Sequence, residues 1–376
     1  MRPPRIALVG NLANVAYQTC KFLRRRGVQA DVFVNEGELA SSASNPENLE
    51  SGILQNPPQW LRIVSALPKP WPLRRSYSNA RLFITLRHYH LIHSFCCAPS
   101  FIRALGRPYV SFATGSDLRE LAVADTPRGH HARSIFQHAQ IVFFGADRGS
   151  FDAARRLKLK NSFFPYPLII DTDFFAPNET WRPETNELLV FHPSHLDWTY
   201  QGRDRWTKGN DRLFRAFAKL VKAGYSARLV YLERGQDVEP TRRLVAELGI
   251  GKHVETHTGN MSRAQLCQYY NLADVVADQF NIGLGVSGQE AMSCGRPVLV
   301  SVDPEVADLC YQQQPPVLNC GTEDEIYEQL KSAMSPEYRA RIGEQAREWI
   351  MKHNHWKKVV ERLVWHYESI LGTHVT

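Results

Sequence analysis

The chain has 376 residues, 43% hydrophobic and 22% charged, which excludes a disordered or fibrous polypeptide and exceeds what one core usually organises, so two domains are expected. No apolar run approaches the ~20 residues of a membrane span, the start MRPPRIALVGN has too short an apolar run for a signal peptide, and the seven cysteines lack disulfide or zinc spacing, so the expected location is cytoplasmic. The formal charge of +7 is uneven: residues 1–179 hold 22 Lys+Arg against 13 Asp+Glu and residues 180–376 hold 23 against 25, a basic first half suited to a phosphate-bearing substrate or an anionic membrane surface. With no helix-turn-helix, zinc-finger or RNP-type sequence, nucleic acid is not expected as a partner.

In chain order, residues 5–10 predict a strand, 11–14 a polar loop, then a helix closing at Gly27 and a strand at 30–34, a βαβ opening. Residues 35–60, rich in Ser, Asn, Glu and Pro, predict a long loop. Apolar runs at 89–95, 107–115, 139–146 and 161–171 continue as strands between helical stretches, which implies a parallel sheet covered on both faces. A proline-flanked polar break at 174–187 separates this half from a second alternation. It runs from ELLVFHP through the amphipathic helix NDRLFRAFAKLVKAGY, the strands ARLVYLE, HVETHTG and DVVADQF, to RPVLVSV. The reading is α/β, two doubly wound Rossmann-like domains, with ligands at the carboxyl ends of the strands and a cleft between facing sheets. The boundaries fall at 1–178, 179–350 and 351–376, the last a helix returning to the first domain within a long amphipathic tail at 336–371.

The segment 278–300, DQFNIGLGVSGQEAMSCGRPVLV, carries the chemistry. Gly283 and Gly285 let backbone approach a ligand, and Ser287 reads as an N-cap. Glu290, three residues later, either closes a capping box or accepts the hydroxyls of a ribose.

The chain resembles the retaining GT-B glycosyltransferases of glycosyltransferase family 4 over nearly its whole length. Four segments in that family's order carry the resemblance: Thr114-Gly115-Ser116 before DLRE, the linker PYPLIIDTDFFAP, Lys208-Gly209 opening a helix, and GLGVSGQEAMSCGRPVLV. The resemblance implies that the C-terminal domain holds a nucleotide-diphosphate sugar and the N-terminal domain a glycan or lipid-linked acceptor, with transfer at retained configuration and no metal or other cofactor. Arg203 and Lys208 match the cation pair on the leaving diphosphate. Glu290 matches the ribose contact, Gly259 the position beside the nucleobase, and Gly283, Leu284, Gly285 and Val286 the amide donors to the sugar nucleotide. Gly10 and Asn11 fall on the donor side of the first loop. Asn14, His93 and Thr114 fall on the acceptor side, and Asp117 either orients the acceptor hydroxyl or caps the helix that follows it.

Two departures accompany the match. The first glutamate of the family's pair is Ile282 here, so Asp278 becomes the substitute contact to the transferred sugar, and the family's histidine before Gly-Ser-Asp is Thr114. These departures leave open a noncatalytic nucleotide-sugar-binding protein, and the same fold also admits a nucleotide-sugar epimerase. Asp171-Thr172-Asp173 and the group His88, His90 and His93 do not read as metal sites. Trp60, Trp71, Arg74, Arg75, Tyr77, Arg81 and Arg87 interleave aromatic and basic residues, which suits either a membrane-facing patch or a core with arginines at its rim.

Overall fold

Short apolar runs become parallel strands here because helices cover both faces of each sheet, so every side chain on a strand can be buried. The computed structural model describes residues 3–41, 44–64, 74–96, 99–159, 163–178, 180, 186–199 and 207–376. The chain divides into two units, the first Met1–Ile169 with Trp356–Thr376, the second Ile170–His355.

Among the described residues, unit 1 contains seven strands: β1 (Arg5–Val9), β2 (Gln29–Asn35), β3 (Leu61–Val64), β4 (Leu91–Phe95), β5 (Tyr109–Ala113), β6 (Val142–Phe144) and β7 (Phe163–Pro165). They form one parallel sheet in the order β3-β2-β1-β4-β5-β6-β7. In β1, Ile6 stands opposite Ala30 on one side and Leu91 on the other, and four of its five residues are buried. The C-terminal helix Trp356–Leu371 belongs to this unit. Its Trp356 stacks on Phe22 of the helix Val15–Arg25 with ring centroids 5.2 Å apart, and Val359, Val360, Leu363 and Tyr367 join the same core.

Unit 2 repeats the plan with β8 (Leu188–His192), β9 (Ala227–Glu233), β10 (Val254–Thr258), β11 (Val275–Ala277), β12 (Val298–Val300) and β13 (Leu318–Asn319), in the parallel order β10-β9-β8-β11-β12-β13. The helix Asn210–Lys222 buries Leu213, Phe214, Phe217 and Leu220 against it. In each sheet the chain order reverses once, between β1 and β4 and between β8 and β11, and the carboxyl ends there are where such sheets place their ligands.

Three expectations change. Residues 35–60 are not one loop: Asn35 and Glu38 close a capping box on the helix Glu36–Ala40, and a short helical turn Pro46–Asn48 follows before β3. The first break falls at 169/170 rather than 178/179, because residues 171–178 are fastened to unit 2. Asn271 donates to Ala176 O at 3.1 Å and accepts from the Asn178 amide at 2.7 Å, and Arg263 lies over the rings of Phe174 and Phe175. The tail is two helices, Pro336–His353 in unit 2 and Trp356–Leu371 in unit 1, parted at Asn354 and His355, so the second break falls at 355/356 rather than 350/351. Trp349 is buried in the first helix, Trp356 in the second, and Trp365 is exposed. Trp60 packs against Tyr17 at 5.5 Å beside the unit 1 core, and Trp71 lies outside the described residues.

Candidate functional site

Asp278 follows β11 at the reversal of the unit 2 sheet, and Ser194 follows the neighbouring β8. The Ser194 hydroxyl donates to Asp278 Oδ1 at 3.0 Å, the Gly285 amide to Oδ2 at 2.6 Å, and the Gly288 amide also reaches this carboxylate. Cβ atoms at Gly285 and Gly288 would stand 2.9 and 2.8 Å from Oδ2, so only glycine lets the loop close on the acid. Asp278 is 2% exposed. Burial raises its pKa, opposed by Lys208 and by these hydrogen bonds. The reading of Asp278 as a sugar contact therefore gives way to another role: its oxygens are committed to holding the loop 283–288.

That loop opens the helix Val286–Ser293, whose N-cap is Gly285 rather than Ser287, so Glu290 closes no capping box. Gln279 Nε2 donates to Gly283 O at 2.8 Å and Gln289 Nε2 to Leu284 O at 3.3 Å. The side chains thus take the loop carbonyls and, among the described residues, leave the Gly283 and Leu284 amides without an acceptor. The Gly285 amide, expected to face the donor, is spent on Asp278. Val286 begins the helix with its first-turn amides on the same loop.

Glu290 is 8% exposed on this helix and accepts from Tyr270 Oη at 3.3 Å. Burial pushes its pKa up to about 7; Arg263, Tyr270 and Arg234 pull it down, and Asp171 adds to the rise. Arg263 pairs with Asp171 at 3.6 Å, and Asp171 also accepts from the Phe174 amide at 3.2 Å, so this carboxylate serves the fold. Among the described residues no cluster of three or more His, Cys, Asp or Glu side chains is placed to hold a metal.

Lys208 is fixed by its backbone: its amide donates to Asp197 O at 2.6 Å and its carbonyl accepts from Phe280 N at 2.8 Å. Its charge acts on Asp278, His192 and His195. His192 is fully buried, with Nδ1 2.8 Å from Ala277 O and Nε2 2.7 Å from Asn210 Nδ2, while Asn210 Oδ1 accepts from the Asp197 amide at 2.9 Å. This polar string fixes the neutral Nδ1–H tautomer and ties β8, β11 and the Lys208 segment together. Burial, then Arg234 and Lys208, push the His195 pKa down to about 4. Arg203 lies outside the described residues. Gly259 closes β10 with φ +85°, its amide 3.4 Å from Glu233 O.

In unit 1 the candidates are mostly structural. Asn11 is fully buried, its Nδ2 donating to Asn14 Oδ1 at 2.8 Å and Ser44 O at 2.7 Å and its Oδ1 accepting from Tyr17 N at 2.9 Å. Asn14 donates to Asn45 O at 2.9 Å. Both asparagines were expected to face a ligand; both fasten the first loop instead. His93 is 0% exposed, 2.6 Å from Tyr367 Oη and stacked on Phe95 at 4.2 Å, with its pKa pushed down to about 3 by burial. It is a core histidine, not an acceptor contact. Asp117 accepts from the amides of Thr114, Gly115 and Leu118 at 3.3, 2.9 and 3.0 Å, which makes it the staple of a tight turn rather than a helix cap or a catalytic group. Thr114 is half-buried at the end of β5. Gly10 has φ +88°, and a Cβ there would meet Phe95 O at 2.3 Å. Gly10, Phe33, Phe95, Ser111, Asp117 and Phe136 line a cavity of about 1400 Å³ within this unit.

Sequence reasoning missed Ser194, Tyr270, Arg263 and Arg234. None stands in a motif, and each reaches the site through a partner distant in sequence.

Residues 196–349, which include Lys208, Asp278 and Glu290, match the family model of glycosyl transferases group 1. The chain is 25% identical over 204 residues to a GDP-mannose-dependent alpha-(1-6)-phosphatidylinositol monomannoside mannosyltransferase of Mycolicibacterium smegmatis, 52% of this chain and 53% of that protein. The chain thus spans about half the length of the curated relatives it matches. Among solved structures it is similar to a sucrose-phosphate synthase from Thermosynechococcus elongatus, with TM-score 0.72, 17% identity and coverage of 98% and 99% of the two chains. It is equally similar to Anabaena HepE in complex with UDP and glucose, with TM-score 0.72, 15% identity and coverage of 97% and 100%. The fold is GT-B, and the similarity to the glycosyl transferases group 1 model covers residues 196–349.

Proposed function

We propose that this protein is a retaining, metal-independent glycosyltransferase that moves a sugar from a nucleotide-diphosphate sugar, UDP- or GDP-linked, to a glycan or lipid-linked acceptor in surface-polysaccharide or glycolipid assembly. The observation that carries the reading is the arrangement of Glu290, the Asp278-held loop and Lys208 at the strand reversal of unit 2. Glu290 accepts the ribose hydroxyls, and the Gly283 and Leu284 amides and the helix start face the anionic part of the donor. Lys208 stabilises the charge that grows on the diphosphate as the glycosidic bond breaks, with Arg203 as its expected companion. Unit 1 takes the acceptor, and the cavity lined by Gly10 and Phe95 offers the room for it. Its basic composition suits an anionic inner membrane face.

Ile282, standing where a sugar-contacting glutamate is expected, favours a second reading, a binding protein that kept the donor site without turnover. The test is thermal unfolding of wild type and Glu290→Ala against UDP, GDP, ADP, CMP and common UDP- and GDP-sugars. A ligand at ~100 times its dissociation constant adds about 2.7 kcal/mol, enough to raise the midpoint by a few degrees. Stabilisation by one nucleotide, lost in the variant, supports the donor site. Release of that nucleotide from its sugar conjugate then separates enzyme from binder.

A further inference from the structure

We infer that Arg234 is a direct ligand of the donor's diphosphate, a cation contact outside the motifs of the family; the inference rests on the donor-site reading above. Arg234 follows β9 at its carboxyl end, next to the end of β8 that carries Pro193, Ser194 and His195. Its Nη2 donates to Pro193 O at 2.6 Å and its Nη1 to Asn260 Oδ1 at 3.3 Å, while its Nε is buried without a partner.

The partners are the informative part. Arg242, Arg263 and Arg339 of unit 2 lie beside acids, at 2.6 Å from Glu233, 3.6 Å from Asp171 and 3.2 Å from Asp274, whereas Arg212 and Arg347 bond carbonyl oxygens as Arg234 does, but neither has a buried Nε without a partner. Arg234 has no ion pair among the described residues. Two neutral oxygens fix the plane of its guanidinium, Glu290 acts on it only through space without an ion pair, and a largely buried cation held this way is unfavourable until an anion meets it. Burial lowers its pKa, opposed by Tyr270 and Glu290.

Its position identifies the anion. Arg234 acts electrostatically on both Glu290 and His195, and Lys208 acts on the same His195. A ligand with its ribose on Glu290 and its charge near Lys208 brings its phosphates to Arg234. The planar fork, pre-aimed by Pro193 and Asn260, suits phosphate oxygens in a way that a lysine ammonium does not reproduce.

The test compares wild type, Arg234→Gln and Arg234→Lys by calorimetry with UDP and GDP, with uridine and guanosine, and with inorganic pyrophosphate. Measured well above pH 7, where Glu290 is ionised with or without Arg234, Arg234→Gln is expected to weaken binding of whichever diphosphate binds wild type ten- to a hundredfold while the matching nucleoside is unaffected. Arg234→Lys, which keeps the charge and the fold, is expected to fall between. Pyrophosphate is expected to raise the unfolding midpoint of wild type and not of Arg234→Gln. Diphosphate binding of wild-type strength in Arg234→Gln overturns the inference, as does an equal loss of diphosphate and nucleoside, since that marks a structural role. Should Arg234→Gln fail to fold, Arg234→Lys with wild-type affinity for diphosphate overturns it as well. Wild-type protein that binds neither diphosphate nor nucleoside refutes the donor-site reading itself, and the inference falls with it.

Discussion

Asp278 Oδ2 accepts the Gly285 amide at 2.6 Å, and this one bond sets the shape of the loop that precedes Glu290. Asp278→Ala would leave the Ser194 hydroxyl and two amides without their acceptor in a buried place, a loss of about 2 to 4 kcal/mol. Gly285→Ala would press a Cβ to 2.9 Å from the carboxylate and cost roughly 1 to 3 kcal/mol. Both variants are expected to unfold at lower urea and to bind nucleotide at least tenfold more weakly. Wild-type nucleotide affinity in either would show that the loop geometry does not serve the ligand.

If Glu290 holds the ribose as proposed, nucleotide binding should depend on pH. The Glu290 pKa is pushed up to about 7 in the free protein by burial, against Arg263, Tyr270 and Arg234 and with Asp171 adding to the rise. Ribose hydroxyls donate to the ionised form, so affinity should climb as pH rises through about 7 and fall as pH drops below it. Glu290→Gln should bind more weakly and show no such dependence between pH 6 and 8. The sign for folding is the reverse. A folded pKa above the unfolded one means that the folded state holds the extra proton between about 4.5 and 7, so the associated stability is present at low pH and lost as pH rises through 7. Above pH 7 the ionised, buried carboxylate costs up to roughly 3 kcal/mol, and Glu290→Gln should then unfold at a higher temperature than wild type.

The Lys208 backbone bonds Asp197 and Phe280, and its charge offsets the burial of Asp278. If Lys208 meets the leaving diphosphate as proposed, Lys208→Met should lower kcat by about 10² to 10³ in protein that still folds. Unchanged kcat would remove Lys208 from the leaving-group site.

His93 tests the acceptor side. Fully buried, with a pKa down to about 3, it stays neutral throughout the working range and moves no proton. Tyr367→Phe, which removes the 2.6 Å contact to His93 Nδ1, should cost about 1 to 2 kcal/mol in urea unfolding and leave the pH profile of transfer unchanged. A shifted profile would restore His93 to the reaction.

The alternation of strands and helices is legible in the sequence because each buried parallel strand is an unbroken apolar run, as in RIALV and ARLVYLE. β3 escapes because it lies at a sheet edge, where Arg62 and Ile63 face outward and break that run. Glu290 and Lys208 are legible because their local spacing carries the family pattern. The bonds that Asp278, Asn11 and Asp117 make to the chain are not legible for one physical reason: an acid or amide after a strand looks the same whether its oxygens meet a ligand or the chain. Only folding brings Ser194 to Asp278 across 84 residues, or Ser44 to Asn11 across 33. Arg234 is invisible for the same reason, since the oxygen that aims it belongs to Pro193.

Arg347 joins the segment 172–175 to the helix that carries Glu290. Its Nη1 donates to Phe175 O at 3.0 Å, Ser293 O at 2.7 Å and Ser293 Oγ at 2.8 Å, and its Nη2 to Thr172 O at 3.2 Å. Ser293 Oγ donates in turn to Phe175 O at 2.5 Å, so one guanidinium organises the end of the helix Val286–Ser293 from a side chain on Pro336–His353. Arg347→Met keeps an unbranched apolar stem and removes every donor. Three carbonyls and a hydroxyl would lose a charged partner in a half-buried place, at a cost of about 2 to 4 kcal/mol. Because all these groups lie within unit 2, the expected signature is earlier unfolding of that unit. Hydrogen exchange should rise along 286–293 and 336–353 and stay at wild-type level in β1 and β4. Equal acceleration in both units would show instead that they unfold as one, and that Arg347 supports the whole chain rather than the helix beneath Glu290.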